Sequence, residues 1–206
     1  MAQAEEVKHD QALPPYPEKA TLEGKNKFLG FWFFLGGETV LFASLFGTYL
    51  GLRNGVADGP TSQELFHLDL VFYMTMILLT SSLTSVFAII NMKKGNYKGL
   101  LGWMWATVAL GVAFLSFEIY EFWDYTVNYG LGFSTSAFAS SFYTLVGTHG
   151  AHVLFGVLWI STLLIRYAKT GLTLTNAPKF YTASLYWHFI DVVWVFIFTV
   201  VYLMGV

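Results

Sequence analysis

Long apolar runs separated by short polar gaps make up most of the chain. Phe28–Leu52 carries one formal charge, Glu38, and Leu70–Met92 carries none. A third run starts at Gly99, stays uncharged through Phe117, then takes up Glu118 and Glu121 before ending near Trp123. Each is long enough to cross about 30 Å of hydrocarbon as an α-helix rising roughly 1.5 Å per residue. Tyr125–Ile165 contains no Asp, Glu, Lys or Arg and is too long for one helix. Its Gly130, Gly132 and Ser134-Thr135-Ser136 read as a loop ending in a helix cap, which places a fourth span at about Ala137–Tyr167. A fifth, about Phe180–Met204, carries only Asp191. The pattern predicts an all-α membrane bundle of five transmembrane helices, at about 28–52, 70–92, 99–123, 137–167 and 180–204. These form one domain, 28–206, behind a polar tail, 1–27.

Composition agrees: 55% of residues are hydrophobic, 12% are charged, and mean hydropathy is +0.55. Those values exclude an ordinary soluble domain, a disordered chain and a nucleic-acid-binding surface. The absence of Cys excludes disulfides, Cys-ligated zinc, iron–sulfur clusters and thiol catalysis.

The distribution of charge predicts orientation. Of the 11 Lys and Arg residues, Lys8, Lys19, Lys25, Lys27, Lys93, Lys94, Lys98, Arg166, Lys169 and Lys179 all fall on one side of the predicted bundle, and only Arg53 on the other. Basic residues resist translocation, so the N-terminus is expected to be cytoplasmic and the C-terminus external, in a multi-pass membrane protein. The tail lacks the apolar core and cleavage site of a secretory signal. Its Pro14-Pro15-Tyr16-Pro17 stretch is expected to lie along a neighbouring subunit rather than to act as a polyproline ligand.

Seven ionisable groups fall inside the spans. Glu38 lies near the midplane of the first, after Gly36 and Gly37, whose missing side chains let a helix or a lipid chain approach. No Lys or Arg in any span pairs with it. Ionising such a carboxyl costs several kcal/mol, so it is expected to be neutral and hydrogen-bonded to a neighbouring helix or a lipid head group. The other six form the pairs Glu118/Glu121, His149/His152 and His188/Asp191, each spaced i,i+3 and so on one helix face turned toward the bundle interior. Glu121, close to the outer interface, is expected to be partly solvated.

Interhelical hydrogen bonding is the favoured role for these pairs, because lipid gives helices no hydrophobic reason to associate. A metal or bis-histidine haem site is the competing role. It is disfavoured by Glu-x-x-Glu and His-x-x-His where a four-helix di-iron centre uses Glu-x-x-His twice. No catalytic, metal-binding or cofactor-binding residue is assigned. Trp187, Trp194, Tyr186 and Tyr202 fit packing better than a cofactor box.

Four of these segments are recognisable. Leu185-Tyr-Trp-His-Phe-Ile-Asp-Val-Val-Trp194, Gly147-Thr-His-Gly-Ala-His-Val153, Glu118-Ile-Tyr-Glu121 and Gly37-Glu-Thr-Val-Leu-Phe42 resemble subunit III of the haem–copper cytochrome c oxidases, in the family's order, from about Lys25 to Val206. The resemblance, which is to the short five-helix form found in bacterial oxidases, implies a non-redox subunit of a proton-pumping terminal oxidase in the bacterial cell membrane. Such a subunit packs against the catalytic subunit I, neighbours subunit II and a small subunit IV, binds phospholipid and sustains proton uptake, while haem and copper reside in its partners. It also implies that Glu38 is the family's buried carboxylate, and that Glu118, Glu121, His149, His152, His188 and Asp191 are structural or lipid-related. Longer members have seven helices; this chain lacks the first two, which form one wall of a lipid-filled cleft. The alternatives are subunit III of a quinol oxidase and, from the physics alone, a small proton-coupled transporter.

Overall fold

The computed structural model describes residues 14, 16–57, 60 and 62–205, so the expectations for Pro15 and for the first thirteen residues of the tail lie outside the described residues. Five helices are long and apolar enough to cross a membrane, and no strand occurs among the described residues. They are α1 (Leu22–Leu52), α3 (Leu68–Lys93), α4 (Tyr97–Val127), α5 (Ala137–Tyr167) and α6 (Ala177–Ile197), with a short α2 (Ser62–Leu65) between the first two spans. α6 continues as a wider π-helical turn, Phe198–Leu203.

Most helices overrun the apolar runs. α1 begins at Leu22 rather than Phe28 because Thr21 caps it, its hydroxyl accepting from Gly24 N–H at 3.0 Å, while Glu23 and Lys27 pair at 2.5 Å across one turn. The tail therefore ends before residue 27. α4 starts at Tyr97 under an Asn96 cap and runs through Asp124 to Val127. Ser136 caps α5 through Ala139 N–H at 3.0 Å, where the sequence places the cap. α6 opens with Pro178 in its first turn. The preceding loop is fixed by Asn176, whose side chain accepts from Thr173 N–H at 2.9 Å and donates to the Gly171 carbonyl at 2.7 Å.

α3, α4, α5 and α6 form a closed ring, each packed on the next, with α3 returning to α6. α1 stands outside this ring, against α5 and α6. Its contact is a single seam. Leu35, Phe42 and Tyr49 are buried, with Phe31, Glu38 and Leu45 half-buried between them, a 4-3-4-3 spacing that keeps one narrow stripe on the neighbours. Gly36 and Gly37 lie off this stripe, and a Cβ on either would meet no neighbouring element within 4 Å, so the close approach expected at these glycines is not made among the described residues.

Two devices hold the ring. α3 carries a ladder of hydroxyls toward α6: Thr75 accepts from Trp194 Nε1–H at 3.0 Å, Ser81 accepts from Trp187 Nε1–H at 2.9 Å, and Ser85 bonds Ser184 at 2.7 Å. Each is one of the polar contacts that bind helices in lipid. The Trp187 ring is also wedged between two glycines. A Cβ on Gly111 of α4 would stand 2.5 Å from Trp187 Cη2, and one on Gly156 of α5 would stand 3.0 Å from its Cζ3. The described part of the tail folds back on its own chain: Pro17–Lys19 packs on α6 and α1, and Tyr16 lies beneath Lys93 of α3.

Candidate functional site

The polar pairs occupy the middle and one end of the bundle, and each group meets a different neighbour. Glu38 Oε2 lies 3.0 Å from His152 Nε2, joining α1 to α5. The carboxyl without a cationic partner thus has an imidazole partner, one that hydropathy along α1 does not reveal. His152 Nδ1 lies 2.7 Å from the Thr148 carbonyl, so both ring nitrogens are engaged, and Phe42 of α1 packs on the ring at 5.1 Å. Glu38 and His152 are each less than a fifth exposed, and His152 lines a shallow furrow of about 280 Å³ with Phe34, Phe155 and Tyr186.

His149, one turn away on α5, faces the other side. It is fully buried, with Nε2 at 3.2 Å from the Ile190 carbonyl of α6 and its ring between Phe114 and Trp194. The i,i+3 spacing therefore does not give the two histidines a common partner. His188 and Asp191 of α6 do share one, Ser82 of α3, whose hydroxyl lies 2.7 Å from His188 Nδ1 and also interacts with Asp191.

Glu121 departs from expectation. Its exposure is 1%, because Tyr125 and Tyr202 cover it and donate their hydroxyls to its two oxygens at 2.9 and 3.0 Å. Tyr202 reaches it from the π-helical turn, whose extra width lets both Val201 and Tyr202 face inward. Glu118, 3% exposed, lies over Gly150 of α5; a Cβ there would stand 2.5 Å from its Oε2. Glu118 Oε1, His149 Nδ1 and Asp191 Oδ1 are buried without a hydrogen-bond partner among the described residues.

The three histidines of the spans are thus each tied to a separate helix, α1, α6 and α3. Among the described residues no three His, Asp or Glu side chains converge where they could hold a metal ion. The indoles of Trp187 and Trp194 are spent on Ser81 and Thr75. Sequence reasoning missed the α3 hydroxyl ladder, although the Thr80-Ser81-Ser82 cluster and Ser85 in an otherwise apolar helix are the signal for it.

Fold and site together define a multi-pass helical membrane protein in which Glu38, Glu121, His149, His152 and His188 make hydrogen bonds between helices. The chain matches the family described as cytochrome c oxidase subunit III over residues 18–206, and it belongs to that family. It is 74% identical over 200 residues to cytochrome c oxidase subunit 3 of Alkalihalophilus pseudofirmus, covering 97% of each chain. The corresponding cytochrome c oxidase subunit of Bacillus subtilis is 65% identical over 195 residues, covering 95% of this chain and 94% of the relative. Quinol oxidase subunit 3 of the same organism is 47% identical over 201 residues, covering 98% of each. The chain is therefore a multi-pass bacterial membrane protein, subunit III of a haem–copper oxidase, and works with the other subunits of that enzyme. This replaces the transporter alternative.

Proposed function

We propose that the chain serves a proton-pumping cytochrome c oxidase as a subunit without a redox centre of its own. It packs on subunit I beside subunit II, and haem and copper are held by those partners. Cytochrome c rather than quinol is the donor to the complex; the gap between 65% and 47% identity to the two Bacillus subtilis subunits supports this choice. The lysine-rich ends of the helices face the cytoplasm.

The observation that carries the reading is the Glu38–His152 pair on a helix attached by one seam. A carboxyl and an imidazole in contact near the midplane, at the edge of a furrow, can exchange a proton without leaving a bare charge in lipid. Much of the surface of α1 away from the seam, including Gly36 and Gly37, is exposed among the described residues, so phospholipid or a small subunit IV can supply the missing wall. Glu38 and His152 in this position sustain proton delivery and lipid retention, beside the electron path rather than on it. The remaining pairs, Glu118/Glu121, His149 and His188/Asp191, hold the bundle.

Purification through a tag on this chain tests the assignment: haem-bearing partners should co-purify, and the chain stripped of them should show no Soret band and no stoichiometric copper. Glu38→Ala tests the role. The complex should assemble with an initial rate near wild type, but should lose activity faster over repeated turnovers. Immediate loss of oxygen reduction in a fully assembled complex would put Glu38 in the chemistry, and an unchanged lifetime would reduce it to packing.

A further inference from the structure

At the end of the bundle away from Lys93, where α3 begins and α4 ends, a cavity of about 570 Å³ is lined by His67, Leu70, Tyr120, Asp124, Asn128 and Tyr129. One carboxylate and one imidazole line it, and no Lys or Arg does. Both groups can be reached from solution: the side chain of His67 is 52% exposed and that of Asp124 is 16% exposed.

Their geometry suits a shared ion better than a direct bond. His67 Nε2 stands 4.0 Å from Asp124 Oδ2, too far for a hydrogen bond. Two ligands of a tetrahedral ion, each at about 2.0–2.2 Å from it, stand about 3.4 Å apart, so a small side-chain rotation closes the difference. Each group is also held from behind. Asn128 Nδ2 donates to Asp124 Oδ1 at 2.6 Å, which leaves Oδ2 toward the imidazole. The His67 backbone interacts with the Tyr125 hydroxyl, which itself donates to Glu121, so the residue is anchored to α4 through its main chain. The Tyr129 hydroxyl, 2.8 Å from His67 Nε2, occupies the nitrogen that a metal would take and is displaced by it.

An imidazole beside a carboxylate suits zinc, whereas magnesium takes oxygen ligands. Two protein ligands, not three, leave the remaining positions to water from the open cavity. That is the arrangement of an exchangeable site and not of the closed four-ligand sites that hold structural zinc. We propose that this cavity is an exchangeable zinc site, with the ion held by His67 Nε2 and Asp124 Oδ2 and tying the start of α3 to the end of α4. It is separate from Glu38 and His152, and it rests on the proposed orientation only in making the external medium the source of the ion.

The test is protection of His67 from diethyl pyrocarbonate in the complete oxidase, read by mass spectrometry of the peptide that carries His67. Detergent solution exposes both ends of the bundle, so an error in orientation would not alter the result. The reagent attacks an unprotonated imidazole nitrogen; zinc on Nε2 leaves the proton on Nδ1 and so removes the nucleophile. Zinc chloride should protect His67 at micromolar concentrations, a chelator should reverse the protection, and magnesium chloride should give none. Asp124→Asn should raise the zinc required by at least about tenfold, the lower end of what even a supporting group contributes to metal affinity. Tyr129→Phe, which removes the competing hydroxyl, should not weaken protection. Failure of zinc to protect, equal protection by magnesium, or protection that Asp124→Asn leaves unchanged would each overturn the proposal. A His67 that resists the reagent without zinc would overturn it too, by showing that another subunit covers the cavity.

Discussion

Gly111→Ala isolates one of the tightest contacts in the ring. Carbon atoms pack at about 3.5–4.0 Å, so a Cβ at 2.5 Å from Trp187 Cη2 and 2.9 Å from Val157 Cγ2 intrudes on the indole by at least about 1 Å. The ring has little room to retreat, since on its other side even a Cβ on Gly156 would stand only 3.0 Å from it, and Ser81 holds its Nε1 at 2.9 Å. Overpacking of this kind costs about 1–3 kcal/mol, and so rigid a contact falls near the top of that range. Exchanging glycine for alanine in a helix returns about 1 kcal/mol, leaving a net loss of about 1–2 kcal/mol, or roughly 5- to 30-fold in the folded/unfolded ratio. Gly102→Ala on the same helix, where a Cβ meets nothing within 4 Å, is the control and should be neutral or slightly stabilising. The assay is the midpoint temperature at which the subunit leaves the detergent-solubilised oxidase. Gly111→Ala should lower it and Gly102→Ala should not. Adding Trp187→Phe should recover part of the loss, because the shorter ring withdraws from the new methyl, although it forfeits an indole hydrogen bond of about 0.6 kcal/mol. Equal midpoints for the two alanine variants, or a Trp187→Phe effect that simply adds to that of Gly111→Ala, would refute the wedge.

The same release assay probes Glu121: Tyr125→Phe or Tyr202→Phe should each lower the midpoint by leaving one buried oxygen without its donor, at about 1–3 kcal/mol. Adding Glu121→Leu to the double Phe variant should restore stability, because removing every partner costs less than stranding one; a triple variant worse than the double would contradict this. His152→Leu should reproduce the shortened turnover lifetime of Glu38→Ala, and the double variant should be no worse than either alone; additive losses would mean that the two side chains act separately. For orientation, a fluorescent protein that folds only in the cytoplasm should stay dark when fused after Val206, and bright fluorescence would reverse the proposed topology.

The spans, the cap at Ser136 and the polar pairs were legible because each is a local pattern: apolar length, a hydroxyl before a helix, two ionisable groups one turn apart. What was not legible is mostly a matter of partners. His152 is separated from Glu38 by 114 positions, and nothing along either helix says that this histidine turns to α1 while His149 turns to α6. Glu121 read as partly solvated because depth was judged by counting along α4; the two tyrosines that seal it come from the next turn and from a π-helical segment with no marker in hydropathy. Helix ends differed for another reason. Hydropathy stops at Lys27 and at Asp124, but backbone hydrogen bonds continue through charged residues beyond the hydrocarbon, so α1 and α4 run on.

The single seam of α1 has a consequence for biogenesis. Of the five spans, synthesis delivers this helix ahead of the rest, and the two helices that hold it follow α3 and α4. α3 and α4 emerge in between, joined by a short turn, and can pair as a hairpin at once. α1 must meanwhile remain in the bilayer as a lone span, which its apolar length permits, with Glu38 facing lipid. At about 5–20 residues per second, His152 follows on the order of ten seconds later. During that interval the carboxyl has no imidazole to meet, and any lipid or neighbouring helix that engages it must yield before α5 can dock. The helix with the narrowest attachment in the finished bundle is therefore the one that waits longest for its partners, and a chain arrested after α4 would leave it permanently unclaimed in the membrane.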